Sequence, residues 1–316
     1  MKRDIAIDYL RSSVTVLVVA HHAALAYNTF SRYDPSHYTK SSAPIVDTVR
    51  FMPLDILVGW NDLFFMSLMF LISGIFVAPS IARKGIGRFL AERAKRLGIP
   101  FLITATLLAP IAYFPSWLLS DSDSQQTFLG GFFTTDEGSA GPGWFIWVLL
   151  GFSFVVAAAY KFIPNFMKKL SWFPGSARSL VFVFLAVSLV TIIPAHLIVA
   201  EEWLRLFGPV YLPALRVLLY FAWFLLGIAL GGGKPERSLS RENLRFWPVW
   251  LAVGAAGYMV HGTLTSGGYL IAMPLWGMKL LLGTAYAFCC TFTSLAAIGL
   301  ARSLFRIINL LKIVAI

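Results

Sequence analysis

Residues 63–103 read LFFMSLMFLISGIFVAPSIARKGIGRFLAERAKRLGIPFLI. The stretch is apolar almost without break to Ala82. It then gathers Arg83, Lys84, Arg88, Arg93, Lys95 and Arg96, and turns apolar again from Leu97. A helix needs roughly 20 apolar residues to cross a bilayer, and a basic run between two such segments marks a loop on the cytoplasmic side. The stretch therefore predicts two membrane spans, 54–82 and 97–119, joined by a cytoplasmic loop. Working outward with the same yardstick of roughly 20 residues adds spans at 6–29, 143–163, 179–200, 209–231, 247–266 and 273–298, about eight in all.

The remaining connections test that reading, because Lys and Arg should gather on one side of alternate loops. Lys2 and Arg3 precede the first span, Lys161, Lys168, Lys169 and Arg178 follow the fourth, and Lys234, Arg237, Arg241 and Arg245 follow the sixth. Of the opposite connections, 120–143 holds Asp121, Asp123, Asp136 and Glu137 without Lys or Arg, and 262–272 is uncharged. The first connection is a partial exception, with Arg32, Lys40 and Arg50. The expectation is an all-α, polytopic transmembrane bundle, one domain over 1–316, with its N-terminus in the cytoplasm. The basic and then apolar tail 301–316 is too short to cross and reads as a surface helix or the stump of a further span.

Composition agrees. The chain is 58% hydrophobic and 13% charged, with a mean hydropathy of +0.74, more apolar surface than one soluble core buries. The net charge of +11 lies in short clusters between apolar segments, a topological pattern and not a nucleic-acid-binding face. Cys289 and Cys290 are adjacent within an apolar segment, a poor geometry for a disulfide, and no histidine or further cysteine gives them metal spacing. They read as packing, and no metal is expected. The N-terminus lacks the small-residue cleavage site of a signal peptide, so it reads as a retained first span.

That span, DYLRSSVTVLVVAHHAA over 8–24, carries polar groups lipid does not tolerate cheaply. At about 100° per residue, Asp8, Arg11, Thr15 and His22 share a face that Asp4 extends, while His21 points elsewhere. Arg11 and His22 stand roughly 16 Å apart along the axis. One explanation is an interfacial Asp8–Arg11 pair, a snorkelling arginine, and histidines bonded to neighbouring helices. The other is a functional track, since ionisable residues within spans mostly face a cavity or pathway.

Three segments resemble the integral-membrane acyltransferase family 3. IDYLRSSVTVLVVAHH matches the family's opening arginine and histidine, here Arg11 and His22. The stretch 63–103 is similar to its aromatic, Ser-Gly second span with an Arg-x-x-Arg pair, here Arg93 and Arg96, before Ile99-Pro100. GPGWFIWVLLGF, 141–152, is similar to a later Trp-Phe-x-x-x-Leu-Leu entry. The resemblance is carried by the first half of the chain and is loose beyond about residue 165. It departs from the pattern in having fewer spans than the family's usual number and no Tyr-x-x-Tyr-Leu-x-His type segment, which implies a C-terminal truncation.

The resemblance implies O-acylation of an extracytoplasmic saccharide by an acetyl or succinyl group from cytoplasmic acyl-CoA, in the bacterial inner membrane. The partners expected are acyl-CoA, a glycan acceptor and the bilayer, with no nucleic acid. Arg93 and Arg96 suit the CoA phosphates, which guanidinium forks bind with charge-assisted hydrogen bonds. His22 suits a general base or an acyl-carrying nucleophile, Arg11 the donor phosphates or the reacting thioester, and Asp8 the orientation of Arg11. Asp62 suits a sugar hydroxyl or a helix cap. Trp144, with Trp60 and Trp147, suits sugar stacking or an interfacial belt. Arg216 and Lys279 read as snorkelling, and His37, His196 and His261 as secondary candidates. The alternatives are a transporter or flippase whose Arg and His line a path, and an inactive truncated relative.

Overall fold

A computed structural model describes residues 4–121, 127–134, 140–163, 165–171, 175–199, 203–207, 210–233, 235–266 and 273–314. Lys2, Arg3, Asp123, Asp136, Glu137 and Lys234 lie outside them. The chain is a helical bundle. Its elements are α1 (Ile5–Ala24), α2 (Pro53–Ile75), α3 (Val77–Lys84), α4 (Ile86–Arg93), α5 (Ile99–Ile103), α6 (Ala109–Leu118) and α7 (Phe128–Thr134). They continue with α8 (Trp144–Phe162), α9 (Phe166–Leu170), α10 (Ala177–Ile198), α11 (Val217–Gly232), α12 (Pro235–Ser238), α13 (Trp247–Thr265) and α14 (Leu275–Val314). Strands β1 (Trp203–Phe207) and β2 (Val210–Pro213) form one antiparallel hairpin.

Each of the eight expected spans contains a helix. Five stretches are long and apolar enough to cross a membrane: Pro53–Lys84, Ile86–Leu118, Gly141–Phe162, Ala177–Ile198 and Leu275–Leu304, with Val217–Gly232 a shorter apolar helix. Helices α1 and α13, 20 and 19 residues long, have the length but not the apolarity. Large apolar side chains such as Val16, Ile111, Phe182 and Val190 point outward from the bundle. In water that would be an aggregation surface, and in lipid it is the solvated one. The chain is a multi-pass membrane protein.

Two expectations are corrected. The sixth span does not run over 209–231: Val210–Pro213 pairs with Trp203–Phe207, and the helix starts only at Val217. Pro213 has no N–H to continue a ladder, and its carbonyl accepts from Arg216 N, closing the turn that leads into α11. The described part of the tail is not a separate surface helix, because α14 continues unbroken as helix to Val314.

Helix α2 is the centre. Thirteen of its 23 residues are buried, and it packs against α1, α11, α13 and α14. Glycines set its contact with α11. A Cβ on Gly231 would stand 1.9 Å from the Ile75 carbonyl oxygen, one on Gly227 2.1 Å from that of Leu71, and one on Gly74 2.2 Å from that of Phe224. The backbones touch, as small residues four apart allow between membrane helices. Six aromatic residues then fill the adjoining core, with the Phe70 ring against Phe145, Phe152 and Tyr220, and Phe152 against Phe221 and Phe224.

The termini of these helices sort into two ends. The start of α1, the α3–α4 turn with its basic residues, and the segment after α11 line one cavity and so share an end. Asn243 Nδ2 donates to Gly175 O, which brings the connection after α8 to that end too. We call this the basic end. The opposite end carries the C-terminus of α1, the start of α8, the hairpin and the start of α11.

Gly231→Ala is expected to destabilise the protein by about 1–3 kcal/mol, the usual cost of forcing extra volume into a packed contact. Gly262→Ala, where a new Cβ meets nothing within 4 Å, should leave stability unchanged or slightly raised. Thermal unfolding in detergent, followed by tryptophan fluorescence, separates the two; equal midpoints would contradict the close α2–α11 approach.

Candidate functional site

The polar face of α1 is split between the two ends. At the basic end a cavity of about 830 Å³ is lined by five cations, Arg11, Arg83, Lys84, Arg93 and Arg96. Asp4, Asp8, Glu92 and Glu236 also line it. Several of these carboxylates are matched locally: Glu92 takes both Lys84 and Arg88, and Asp8 stands 3.7 Å from Arg11. Arg11 lies over the Phe76 ring at 6.0 Å with its side chain 54% exposed. Arg93 sits over Phe89 at 5.4 Å and donates from Nη2 to Ser73 O. Asp8, Arg11, Arg93 and Arg96, chosen from the sequence as donor-side residues, thus border one cavity.

The spacing of Arg93 and Arg96 is not that of an ordinary helical turn. Residues Ala94–Gly98 form a π turn, as do Thr104–Leu108 further along the same rod. Such wide turns are inserted mostly at functional sites, and here both Arg93, just before the turn, and Arg96, within it, line the cavity.

Asp4, which had no assignment from sequence, has two tasks. It caps α1 by accepting from Ile7 N, and both its oxygens take the guanidinium of Arg302 on α14, at 3.1 and 2.6 Å. A bidentate pair only a fifth exposed is among the stronger polar contacts, and it anchors the start of α1 to the last helix. Arg302 could not be found from sequence, because its partner lies 298 residues away.

At the opposite end the histidines are arranged otherwise than helical phase suggests. His21 does not turn away from the site. It is 3% exposed, packs on Phe65 at 5.0 Å, and sets Nε2 3.5 Å from Asp62 Oδ1. His22 is half-buried, its ring edge-on to His21 at 5.1 Å. Thr15 is exposed and bonds back to Arg11 O, satisfied within its own helix. Asp62 is the tenth residue of α2, in its interior, and so does not cap that helix.

Four of the five histidines converge here. The Tyr286 ring on α14 has His196 of α10 and His261 of α13 each 6.1 Å away, and the Arg216 guanidinium lies 5.7 Å over it. Tyr286 donates its hydroxyl to Asp62 O at 3.2 Å. Arg216 therefore does not snorkel; it is held against an aromatic ring within the bundle, in electrostatic reach of His21 and His261. Trp144 stacks on Tyr220 at 6.0 Å and meets Trp203 of the hairpin edge-on at 5.5 Å. Trp147 donates to Tyr211 O. Trp60 stacks on Tyr258 and donates to Thr293. His37 sits apart in the first loop, near Asp34.

Cys289 and Cys290 are buried thiols with no disulfide between them. Among the described residues no group of three or more His, Cys, Asp or Glu side chains is placed to hold a metal ion.

Comparison with known families matches the model of the Acyltransferase domain, acyltransferase family 3, over residues 4–314. The chain belongs to that family and is a membrane acyltransferase. Comparison with curated proteins and with solved structures gives no match.

The Asp4–Arg302 anchor is open to a double-mutant cycle. Asp4→Asn and Arg302→Gln should each lower the unfolding midpoint, and the double variant should lose less than the sum, with a coupling of about 1–3 kcal/mol. Strict additivity would dissolve the pair.

Proposed function

We propose that the protein transfers an acetyl or succinyl group from cytoplasmic acyl-CoA to a hydroxyl of a saccharide on the far side of a bacterial inner membrane. One observation carries this reading: α1 joins a cation-lined cavity at one end of the bundle to an imidazole cluster at the other. The positive-inside pattern supports placing the basic end, and with it the N-terminus, in the cytoplasm, where CoA esters are made.

At the basic end Arg93 and Arg96 grip the CoA phosphates, and Arg11, oriented by Asp8, steers the next part of the donor inward. Fixed guanidinium groups suit this better than lysines, because their planar forks match phosphate oxygens in pairs. At the other end His22 is the general base. Its half-buried ring can be reached, whereas His21 is closed in by Phe65 and Asp62 and acts by holding His22 in place. His22 takes the proton of the acceptor hydroxyl as that oxygen attacks the thioester carbonyl carbon. The carbon–sulfur bond breaks, the departing thiolate receives the proton from His22, and the products are the sugar ester and CoA. Trp144 offers a stacking face beside this centre, and Asp62 a carboxylate for a neighbouring hydroxyl.

Turnover of labelled acetyl-CoA and succinyl-CoA with a mixed periplasmic glycan extract tests the reading. His22→Gln should reduce transfer about 10²–10⁴-fold, the range for losing a general base, with CoA binding unchanged. Arg93→Gln with Arg96→Gln should instead weaken CoA binding, each lost charged hydrogen bond costing about 1.5–3 kcal/mol. Full transfer by His22→Gln, or unaltered CoA affinity in the double arginine variant, overturns the respective assignment.

A further inference from the structure

Beyond the base proposed above, the imidazole cluster contains a second pair of histidines, on helices α10 and α13, which the reaction as described leaves unused. His196 and His261 bracket the ring of Tyr286, a fully buried side chain whose hydroxyl is committed to Asp62 O. Helix α14 comes close to α10 here because position 283 is glycine: a Cβ there would meet Ile193 Cα at 3.1 Å and His196 Nδ1 at 3.5 Å. The ring of His196 is fixed. Its Nδ1 lies 2.9 Å from Ile192 O, and a carbonyl can only accept, so Nδ1 carries the hydrogen and Nε2 is the accepting nitrogen of the neutral ring. Arg216, over the same tyrosine, lies within electrostatic reach of His21, His261 and Tyr220 as well. That ties the second pair to the first through one guanidinium.

Packing alone does not require this arrangement. Hydrocarbon exacts a high cost for ionisable groups, and those retained face a cavity or pathway. Imidazoles, a guanidinium, a carboxylate and two phenols from six helices and a helix cap at one end of the bundle match what polyhydroxylated ligands need: several directional donors and acceptors beside aromatic faces. Trp144, stacked on Tyr220, and Trp203, edge-on to Trp144, supply such faces. We propose that His196 and His261 form an acceptor subsite distinct from the base, binding sugar hydroxyls that flank the reacting one. Each imidazole holds a non-reacting hydroxyl and thereby aims the reacting oxygen at His22. This assignment rests on the saccharide acceptor proposed above.

Kinetics and chemical labelling test it with the full chain in detergent. Against methyl glucoside, methyl galactoside and methyl mannoside as acceptors, His196→Asn, which keeps a donor to Ile192 O but removes Nε2, and His261→Asn should each raise acceptor KM about three- to tenfold, the value of one neutral hydrogen bond. Donor KM and CoA affinity should not move. His196→Gln, which restores an acceptor near the Nε2 position, should recover much of the loss, and His37→Asn, in the first loop, should change nothing. An unchanged acceptor KM, or a shift in donor KM instead, overturns the subsite. In parallel, wild-type protein is modified with diethyl pyrocarbonate with and without the three glycosides. Protection of His196 and His261 is the expected result, and failure of every glycoside to protect either one overturns the subsite even if the variants do not fold. The donor reading is judged separately by CoA binding. Loss of that binding with intact protection would sink the CoA assignment and leave the saccharide site standing.

Discussion

An ionisable side chain in hydrocarbon is stabilised only by other polar groups, so helices that carry such residues must meet. That constraint explains why α1, which falls short of the apolarity of a spanning helix, packs against both α2 and α14. Several of its ionisable groups have partners. Asp4 meets Arg302, Asp8 meets Arg11, and His21 meets Asp62. Remove the partners and α1 is a poor membrane helix; with them it spans the bundle from the cavity to the imidazole cluster.

Helix α2 transmits that constraint to the rest of the bundle. One part of it presents Asp62 to His21 while its last turns approach α11 so closely that glycine is required on both sides. The helix capped by Arg216 is thereby fixed to the helix that carries Asp62. Backbone contact of this kind leaves little room for side-chain adjustment, and it sets the distance between the guanidinium and the carboxylate more firmly than the polar groups could themselves. The polar cluster needs the alignment, and the glycines supply it through van der Waals packing, the principal cohesive force between helices in lipid.

Hydropathy and the alternation of basic loops made the membrane bundle legible, because both are properties of local sequence. The same locality made Arg11, Arg93 and Arg96 visible as donor-side candidates, and all three border the cavity. Helical phase misled at His21: it reports which face a residue occupies, not which faces are covered, and α2 covers the face on which His21 lies. Arg216 illustrates a further limit. Its position near the end of an apolar segment fits snorkelling, and only the folded bundle shows Tyr286 of α14 beneath it. The hairpin escaped for a related reason, since Val210, Tyr211 and Leu212 serve a strand and a buried helix equally well until a pairing partner is known. Arg302 was hidden by sequence distance alone.

The two ends of the bundle differ in the chemistry they can offer. At the basic end the cations are long, partly exposed side chains around a cavity, a form suited to a charged ligand that arrives from water and leaves again. At the other end the polar groups are shorter, more deeply buried and fixed by rings and carbonyls, as with His21 on Phe65 and His196 on Ile192 O. Groups held in this way can orient a neutral, hydroxyl-rich ligand but would bind a phosphate poorly, since most are imidazoles and phenols. The direction proposed for acyl transfer follows from that asymmetry: the phosphate-bearing part of the donor is held where guanidinium groups are plentiful, its acyl end passes along α1, and the acceptor meets it where rigid hydrogen-bonding groups gather.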